Sequence, residues 1–454
     1  MPDNRQNTGA KISFFKSLYL QRRFFIALSI CVIGFFMCYT LDNLFFFVLL
    51  ALGAFVVLVI ADLLSLYANR RGFEATRYCP DRLSNGDQNP ISISIKNLYS
   101  FTASVMLVEE VPFQFQKRDL IFRTKMAPGE SQNLYYELRP TQRGVYHFGH
   151  INVFVTGVLG LVSRRYICDV EKEVAVYPSF LEMRKFELLA ASHRLTDYGI
   201  KRIRRIGHAT EFDQIKQYVF GDDPRTINYK ATARANQLMV NTYQDERSQP
   251  VYCIIDKGRT MKMPFNGLTL LDYAINSTLM VASTALNKDD KVGLITFSNT
   301  IDEIVPADKH RRQRNVILEA LYAQKTDFKE SDYERLYVSV RRKITQRSLI
   351  ILYTNFETVN GTRRQLKYLS SLTRDHLVLV AFFENSEFTD ILDSQPDDVE
   401  SSFLKGMTEK LATDKELIVR ELNRRGIHTI LSKPEHLTID SINKYLEFKA
   451  RGLI

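Results

Sequence analysis

Two acidic stretches hold the residues whose types and spacing are suited to chemistry. Asp222 and Asp223 lie in the run GDDPR, and Asp256 directly follows the apolar run VYCII. Paired carboxylates bind the metal ions of phosphoryl-transfer enzymes, and carboxylates beside hydroxyl groups are oxygen ligands of the kind that Mg²⁺ prefers. The neighbouring sequence decides which elements hold these side chains and whether further ligands accompany them.

A helix is predicted directly before GDDPR. Apolar residues recur there at spacings of three and four, which suits one buried helical face: Phe212, Ile215, Tyr218 and Val219. Gly221 would end this helix, because glycine adopts a positive φ without penalty. Asp222 and Asp223 then lie in a turn fixed by Pro224, where their carboxylates accept hydrogen bonds from turn amides.

We hypothesise that this segment is a structural clasp. Glu211, Asp222 and Asp223 would pair with Arg225 and Arg234 to hold the linker onto the following domain, since an arginine fork binds a carboxylate through two parallel bonds. The alternative is a hydrolase site at Asp222 and Asp223, although neither companion carboxylates nor a phosphate-binding loop is recognisable. The upstream basic run KRIRRIGHATEF could bind lipid headgroups or RNA, or form a solvated face.

The soluble part of the sequence changes pattern near Pro178. From Gly72 to Pro178, short alternating strands such as ISISIKN are separated by turn residues, which predicts a small antiparallel, immunoglobulin-like β-sandwich. From Val251 onward, buried strands such as VYCIID and SLIILYTNF alternate with helices, which predicts a doubly wound, mostly parallel α/β sheet. Sites in such sheets lie at the carboxyl ends of the strands, where Asp256 and Asn355 are placed.

Two apolar runs near the N-terminus are each long enough to cross a bilayer as a helix: Phe24 to Leu41 and Leu44 to Leu66. A cleaved signal peptide is the competing interpretation, but a second apolar run follows within two residues and we find no convincing cleavage site. Basic residues flank the pair on both outer sides, at Lys16 and Arg71 for example, and the connecting turn has no Lys or Arg. The positive-inside rule therefore predicts a hairpin with both ends in the cytoplasm.

Composition excludes several classes of site. The 454 residues carry a formal net charge of +10, which suits an anionic membrane surface, a nucleic acid or a mildly basic solvated surface. The charges are spread along the chain without aromatic interleaving, so no nucleic-acid partner is predicted. The five cysteines and eight histidines form no zinc or disulfide pattern.

The chain resembles the von Willebrand factor A fold at Asp256. The metal-ion-dependent adhesion site of that fold is an Asp-x-Ser-x-Ser run with further ligands from other loops. The resemblance implies a degenerate magnesium site formed by Asp256, Thr260 and Asn355, with Gly258 in place of the first serine. The loss of a carboxylate and a hydroxyl weakens such a site, so the alternative is that Asp256 caps the following loop and no cofactor is bound.

A second resemblance covers nearly the whole chain. The runs TQRGVY, VTGVLGLVSRR and EFDQIKQYVFGDDPRTINYKATAR occur in the order found in the domain of unknown function 58 family. The family's signature, as carried by this sequence, assigns the clasp these residues: Glu211, Phe212, Tyr218, Gly221, Asp222, Asp223, Arg225, Ala233 and Arg234. The sequence departs from the family at Lys216, Asn228 and Thr156. The resemblance implies an accessory role beside a MoxR-type AAA+ ATPase in a bacterial inner membrane.

These observations predict a multi-domain protein. Its parts are a cytoplasmic segment (1–23), a transmembrane hairpin (24–67), a β-sandwich (72–178), a linking region (179–250) and a von Willebrand factor A-like domain (251–454). Three functions are compatible with it: a non-enzymatic membrane-anchored adaptor, a Mg²⁺-dependent adhesion domain acting through Asp256, and a hydrolase using Asp222 and Asp223. The adaptor is preferred because the ligand set is incomplete and no nucleophile-base pair is evident.

Overall fold

The computed structural model describes residues 14–38, 45–69, 72–117, 120–169, 171–184, 211–244, 249–326, 328–384 and 398–454. The chain divides into two compact units, Met1–Tyr177 and Pro178–Ile454. The predicted turn between the apolar runs, the basic run at 201–210 and Arg71 lie outside the described residues.

The first unit begins with a short helix, a strand and two apolar helices: α1 (Phe14–Ser17), β1 (Leu18–Leu20), α2 (Arg22–Met37) and α3 (Phe45–Tyr67). Within the described residues, only α3 is long and apolar enough to cross a membrane. The first predicted span appears as the 16-residue helix α2. The prediction of a membrane-type helix is therefore confirmed for the second apolar run, and the number of spans stays a prediction.

The rest of the first unit is made of strands: β2 (Phe73–Tyr78), β3 (Arg82–Ser84), β4 (Asn89–Asn97), β5 (Ala103–Glu109), β6 (Ile121–Met126), β7 (Ser131–Leu138), β8 (Gly144–Phe148), β9 (Ile151–Thr156), β10 (Val162–Cys168) and β11 (Lys172–Tyr177). They form sheets in the orders β1-β10-β9-β5-β6, β2-β4-β7 and β3-β11-β8. All pairs are antiparallel except β3 with β11. In β4 the alternation of ISISI buries Ile91, Ile93 and Ile95 in the shared apolar core.

A carboxylate near the end of α3 binds this β-rich unit. Asp62 is 2% exposed and accepts hydrogen bonds from the backbone N–H groups of Leu159, Leu161 and Val162 at 3.2, 3.0 and 3.0 Å. A Cβ on Gly157 would collide with the same carboxylate, so a glycine is required at this close approach. Because three backbone amides donate to it, in two contacts that are buried and one that is part-buried, Asp62 is a structural residue of the apolar helix.

The second unit contains a six-stranded sheet and the following strands: β12 (Glu211–Gln217), β13 (Met239–Gln244), β14 (Pro250–Asp256), β15 (Pro264–Phe265), β16 (Leu268–Thr269), β17 (Lys291–Phe297), β18 (Ile301–Asp308), β19 (Leu349–Tyr353), β20 (Leu377–Phe383) and β21 (His428–Ser432). The large sheet has the order β18-β17-β14-β19-β20-β21. Its pairs are parallel except β17 with the edge strand β18, which the sequence analysis did not predict.

Seven helices accompany the strands of the second unit within its described residues: α4 (Tyr229–Ala235), α5 (Leu270–Leu286), α6 (Gln313–Tyr322), α7 (Tyr333–Lys343), α8 (Val359–Leu372), α9 (Val399–Arg424) and α10 (Leu437–Ala450). One face of the large sheet packs against α7, α8 and α9. Cys253 and Ile255 of β14 point to the other face and are fully buried, as expected for a strand covered on both sides.

The GDDPR region is folded differently from the prediction. Glu211–Gln217 is a strand, β12, that pairs antiparallel with β13, so the predicted helix through Phe212 and Ile215 is wrong. Gly221 does have a positive φ of 112°, but it lies in the connection between strand and helix rather than at a helix end. We call the segment Glu211–Gln244, formed by β12, α4 and β13, the arm.

Candidate functional site

Asp256 lies at the carboxyl end of the central strand β14, and both of its carboxylate oxygens are hydrogen bonded. Its Oδ1 accepts from the backbone N–H of Gly258 at 2.8 Å and from the Ser331 hydroxyl. Its Oδ2 accepts from the hydroxyls of Thr354 at 2.7 Å and Tyr333 at 3.2 Å. The side chain therefore ties together the segments that follow β14 and β19 and the start of α7.

Burial dominates the electrostatics of this carboxyl group. Asp256 is 2% exposed, and its desolvation raises its pKa above the ordinary range, although the four donors act in the opposite direction. The Tyr333 hydroxyl is fully buried beside it, which raises the pKa of that phenol as well. The Tyr333 and Thr354 hydroxyl oxygens also lie 2.7 Å apart. Because each hydroxyl has a single proton, the three contacts among these two groups and Oδ2 share two protons.

Sequence reasoning missed three members of this network. Ser331, Tyr333 and Thr354 lie 75 to 98 positions from Asp256 along the chain. Gly258 stands where the adhesion motif has a serine, and a Cβ there would collide with the Ser331 hydroxyl. A glycine at this position is the signal that a side chain from another loop takes the space next to the carboxylate.

Asn355 belongs to the same edge of the sheet but has a different partner. Its Oδ1 accepts a hydrogen bond of 2.7 Å from the Nζ of Lys415, which also donates to the Phe383 carbonyl at 3.0 Å. Its Nδ2 reaches the Thr260 carbonyl at 3.5 Å. Burial lowers the pKa of the Lys415 ammonium to about 8, and the nearby Glu357 acts in the opposite direction.

The oxygen atoms available as metal ligands at this edge do not fit a divalent cation. It offers one carboxylate whose lone pairs already accept four hydrogen bonds, and Asn355 turns its carbonyl oxygen to an ammonium. A second buried cation, Lys257, forms an ion pair of 2.7 Å with Asp302 close by. Across the described residues, no group of three or more His, Cys, Asp or Glu side chains could hold a metal. A Mg²⁺ site needs more anionic oxygens than this arrangement supplies.

The GDDPR carboxylates bind within the arm itself. Asp222 accepts from Lys216 Nζ at 2.9 Å and from the Val219 backbone N–H at 3.0 Å, which lowers its pKa. Asp223 caps the short helical turn Pro224–Thr226 by accepting from the Arg225 backbone N–H at 2.9 Å. The hypothesis paired Asp222 with an arginine, and the structure gives it a lysine instead.

The predicted site residues thus form two groups. Asp256, Thr260 and Asn355 all lie at the carboxyl edge of the large sheet, where one long hydrogen bond joins Asn355 to the Thr260 carbonyl. The clasp residues lie in the arm, where Tyr218 is half-buried and Arg225, Ala233 and Arg234 are exposed. The side chains of Glu211 and Phe212 lie outside the described set.

Together these features define a multi-domain protein with β-rich regions and an apolar helix near the N-terminus that suggests membrane association. Residues 214–388 match the model of a family described as protein of unknown function DUF58. An uncharacterised protein of Bacillus subtilis (strain 168), YeaD, is 25% identical over 206 residues, which cover 43% of this chain and 50% of that relative. The chain therefore spans half the length of the curated relative that it matches.

Solved structures give weaker similarities. BatB, a conserved hypothetical protein from Bacteroides thetaiotaomicron, has 14% identity and a TM-score of 0.30, covering 44% of this chain and 98% of that chain. The CARDB domain of the PF1109 protein from Pyrococcus furiosus has 17% identity and a TM-score of 0.16, covering 23% of this chain and 86% of that chain. Both scores are too low to assign a fold to this chain.

Proposed function

We propose that this protein is a non-enzymatic, membrane-anchored interaction module whose second unit is a von Willebrand factor A-like domain. Its proposed partner is a MoxR-type AAA+ ATPase, and the protein acts beside it as an adaptor. The choice of partner rests on the resemblance of the sequence to the domain of unknown function 58 family, whose model residues 214–388 match.

The observation that carries the proposal is the closed hydrogen-bond network of Asp256. In an adhesion site, the equivalent carboxylate binds a metal that is open to the ligand. Here the carboxylate is buried and accepts hydrogen bonds from three hydroxyls and one amide. That arrangement supports a structural role for the strand ends, and a docking surface that works without a metal.

The proposed membrane arrangement is a two-helix hairpin in a bacterial inner membrane with both ends in the cytoplasm. The strand β1, immediately before α2, pairs with β10, and Asp62 near the end of α3 binds the amides of residues 159–162. The flanks of both apolar helices therefore attach to the same β-rich unit. A chain that enters and leaves the membrane on one side satisfies both attachments.

A Mg²⁺-dependent adhesion function is the second candidate. The observation in its favour is that Ser331 and Thr354 supply hydroxyl oxygens next to Asp256, and hydroxyls of this kind are Mg²⁺ ligands in such sites. The cost is that the ion would have to replace four hydrogen bonds and tolerate nearby ammonium groups. Metal dependence of partner binding separates the two candidates.

The hydrolase hypothesis and the clasp hypothesis both concern the arm. Asp222 forms an ion pair with Lys216, and Asp223 caps a helical turn. These contacts support a structural use of the two carboxylates. Under the clasp hypothesis, Arg225→Ala lowers the melting temperature of the chain. An unchanged melting temperature and an unchanged protease cleavage pattern would remove the clasp. Loss of a measured hydrolytic turnover in Asp222→Ala would instead support the hydrolase.

The test of the adaptor proposal is capture of the ATPase by the full-length protein in detergent micelles. The MoxR-type ATPase of the same organism is applied to the immobilised protein, once in a buffer with Mg²⁺ and once in a buffer with EDTA. Neither buffer contains a non-hydrolysable nucleotide. We expect retention in both buffers. Retention that requires Mg²⁺ and is lost in Asp256→Asn would favour the adhesion function, and no retention in either buffer would reject the proposed partner.

A further inference from the structure

The helix α9 is longer than the sheet it covers. Lys415 contacts Phe383, the last residue of β20, so this point of α9 lies at the carboxyl edge of the sheet. Residues 418 and 422 are buried in the core beyond it. At 1.5 Å per residue, residues 399–414 add about 24 Å of helix past that edge. We call this part of α9, residues 399–414, the projecting half; it extends past that edge, and Thr408 on one of its faces is buried.

The projecting half carries an exposed apolar stripe. Val399, Phe403 and Met407 recur every four residues and are 88%, 67% and 49% exposed. Residues at this spacing lie on one face of a helix. The face toward the domain is a different one, since Thr408, Lys415 and Leu422 follow another line along the helix. Exposed large apolar side chains in a row indicate a binding surface.

A glycine in the middle of the stripe supports the same interpretation. Gly406 lies inside α9, where it costs about 1 kcal/mol relative to alanine. A Cβ at this position would meet no atom within 4 Å, so nothing in the described part of the domain requires a glycine. A missing side chain on an exposed apolar stripe permits close approach of another backbone.

The charges around the stripe are arranged symmetrically about residue 405. Glu400 and Lys410 lie five positions before and after it, and Phe403 and Met407 lie two positions before and after it. When two copies of α9 cross antiparallel at residue 405, Phe403 of each faces Met407 of the other, and Glu400 of each faces Lys410 of the other. Lys405 and Glu409 fall on the far side of the helix, so they do not oppose their own copies.

We propose that the projecting half of α9 is a self-association surface that binds a second copy of this chain as an antiparallel helix pair. The occupant is a second copy because the stripe is complementary to itself in both charge and apolar contacts, as a two-fold interface requires. The thioether of Met407 against the Phe403 ring adds a favourable sulfur-aromatic contact. Tethering to a membrane would raise the effective concentration of the two copies and so favour the helix pair.

The test is the dimer fraction of the full-length protein in detergent micelles, measured across a dilution series by analytical ultracentrifugation. We expect a concentration-dependent dimer. Glu400→Lys and Lys410→Glu each place like charges across both ends of the helix pair and raise the dissociation constant about tenfold. The double variant Glu400→Lys with Lys410→Glu restores the wild-type value, because the exchanged charges again face each other.

Phe403→Ser removes the central apolar contact and is expected to abolish the dimer at concentrations where the wild type associates. The matched control is Phe328→Ser, which changes another exposed phenylalanine of the same unit, is 75% exposed in the wild type, and leaves the dimer intact. A wild type that stays monomeric throughout, a dimer that persists in Phe403→Ser, or a double variant no better than the single ones would overturn the proposal. None of these outcomes bears on capture of the ATPase.

Discussion

At the residue scale, the buried ammonium of Lys415 makes the stability of the second unit depend on pH. Burial lowers the pKa of Lys415 from 10.5 to about 8, so the folded chain holds this proton less tightly than the unfolded chain. The folded state therefore bears a cost below pH 8, which is relieved as the pH rises from 8 to 10.5. The full cost is roughly 3 kcal/mol.

The variant Lys415→Met removes this titration and leaves the carbonyls of Asn355 and Phe383 without their donor. We expect the melting temperature of the wild type, relative to that of Lys415→Met, to rise between pH 8 and 10.5 and to level off outside that window. Comparing the two proteins at each pH cancels the other groups that titrate there. A temperature difference that stays constant from pH 7 to 10.5 would contradict the assignment.

The network of Asp256 gives a second prediction at this scale. Asp256→Ala would leave one amide and three hydroxyls without their common acceptor, and we expect a loss of about 2 to 4 kcal/mol in the free energy of unfolding. Tyr333→Phe removes a single donor and should cost about 1 kcal/mol. Denaturant titration in detergent measures both. Asp222→Ala, which changes a half-buried carboxylate of the arm, is the control with the smaller expected effect.

At the element scale, Asp62 is one of the contacts that fix α3 to the β-rich unit, beside the Leu66 carbonyl, which accepts from Tyr99 and Arg164. Asp62→Leu suits the apolar helix but leaves the amides of Leu159, Leu161 and Val162 without an acceptor. We expect this variant to lower the melting temperature by several degrees and to expose the loop at residues 157–161 to protease. Leu64→Ala, which changes an exposed side chain of the same helix, is the control. Equal protease resistance in both variants would show that Asp62 is dispensable.

The elements also show what the sequence can and cannot predict. Runs such as VYCIID and SLIILYTNF are buried on both faces, so their composition alone identified the strands β14 and β19. The helix predicted at Phe212 and Ile215 failed because the strand β12 depends on pairing with β13, whose residues lie well beyond the local window. The same limit hid Ser331 and Thr354, which reach Asp256 only after the sheet has formed.

At the scale of the whole molecule, the attachments of both apolar helices lead to a prediction of topology. The strand β1 precedes α2 and pairs with β10, and α3 is bound through Asp62 to the loop before β10. If the N-terminal segment were on the opposite side of the membrane, β1 could not pair with β10. We therefore expect protease-cleavable tags at the N- and C-termini to be protected in spheroplasts and cleaved in inverted membrane vesicles.

A tag before Phe14 that is cleaved in intact spheroplasts, while the C-terminal tag is protected, would contradict this topology. It would mean that the chain crosses the membrane once and that β1 is unpaired. The matched variant is Tyr19→Pro. Proline has no backbone N–H to donate, so this variant weakens the pairing of β1 with β10 without altering either apolar helix.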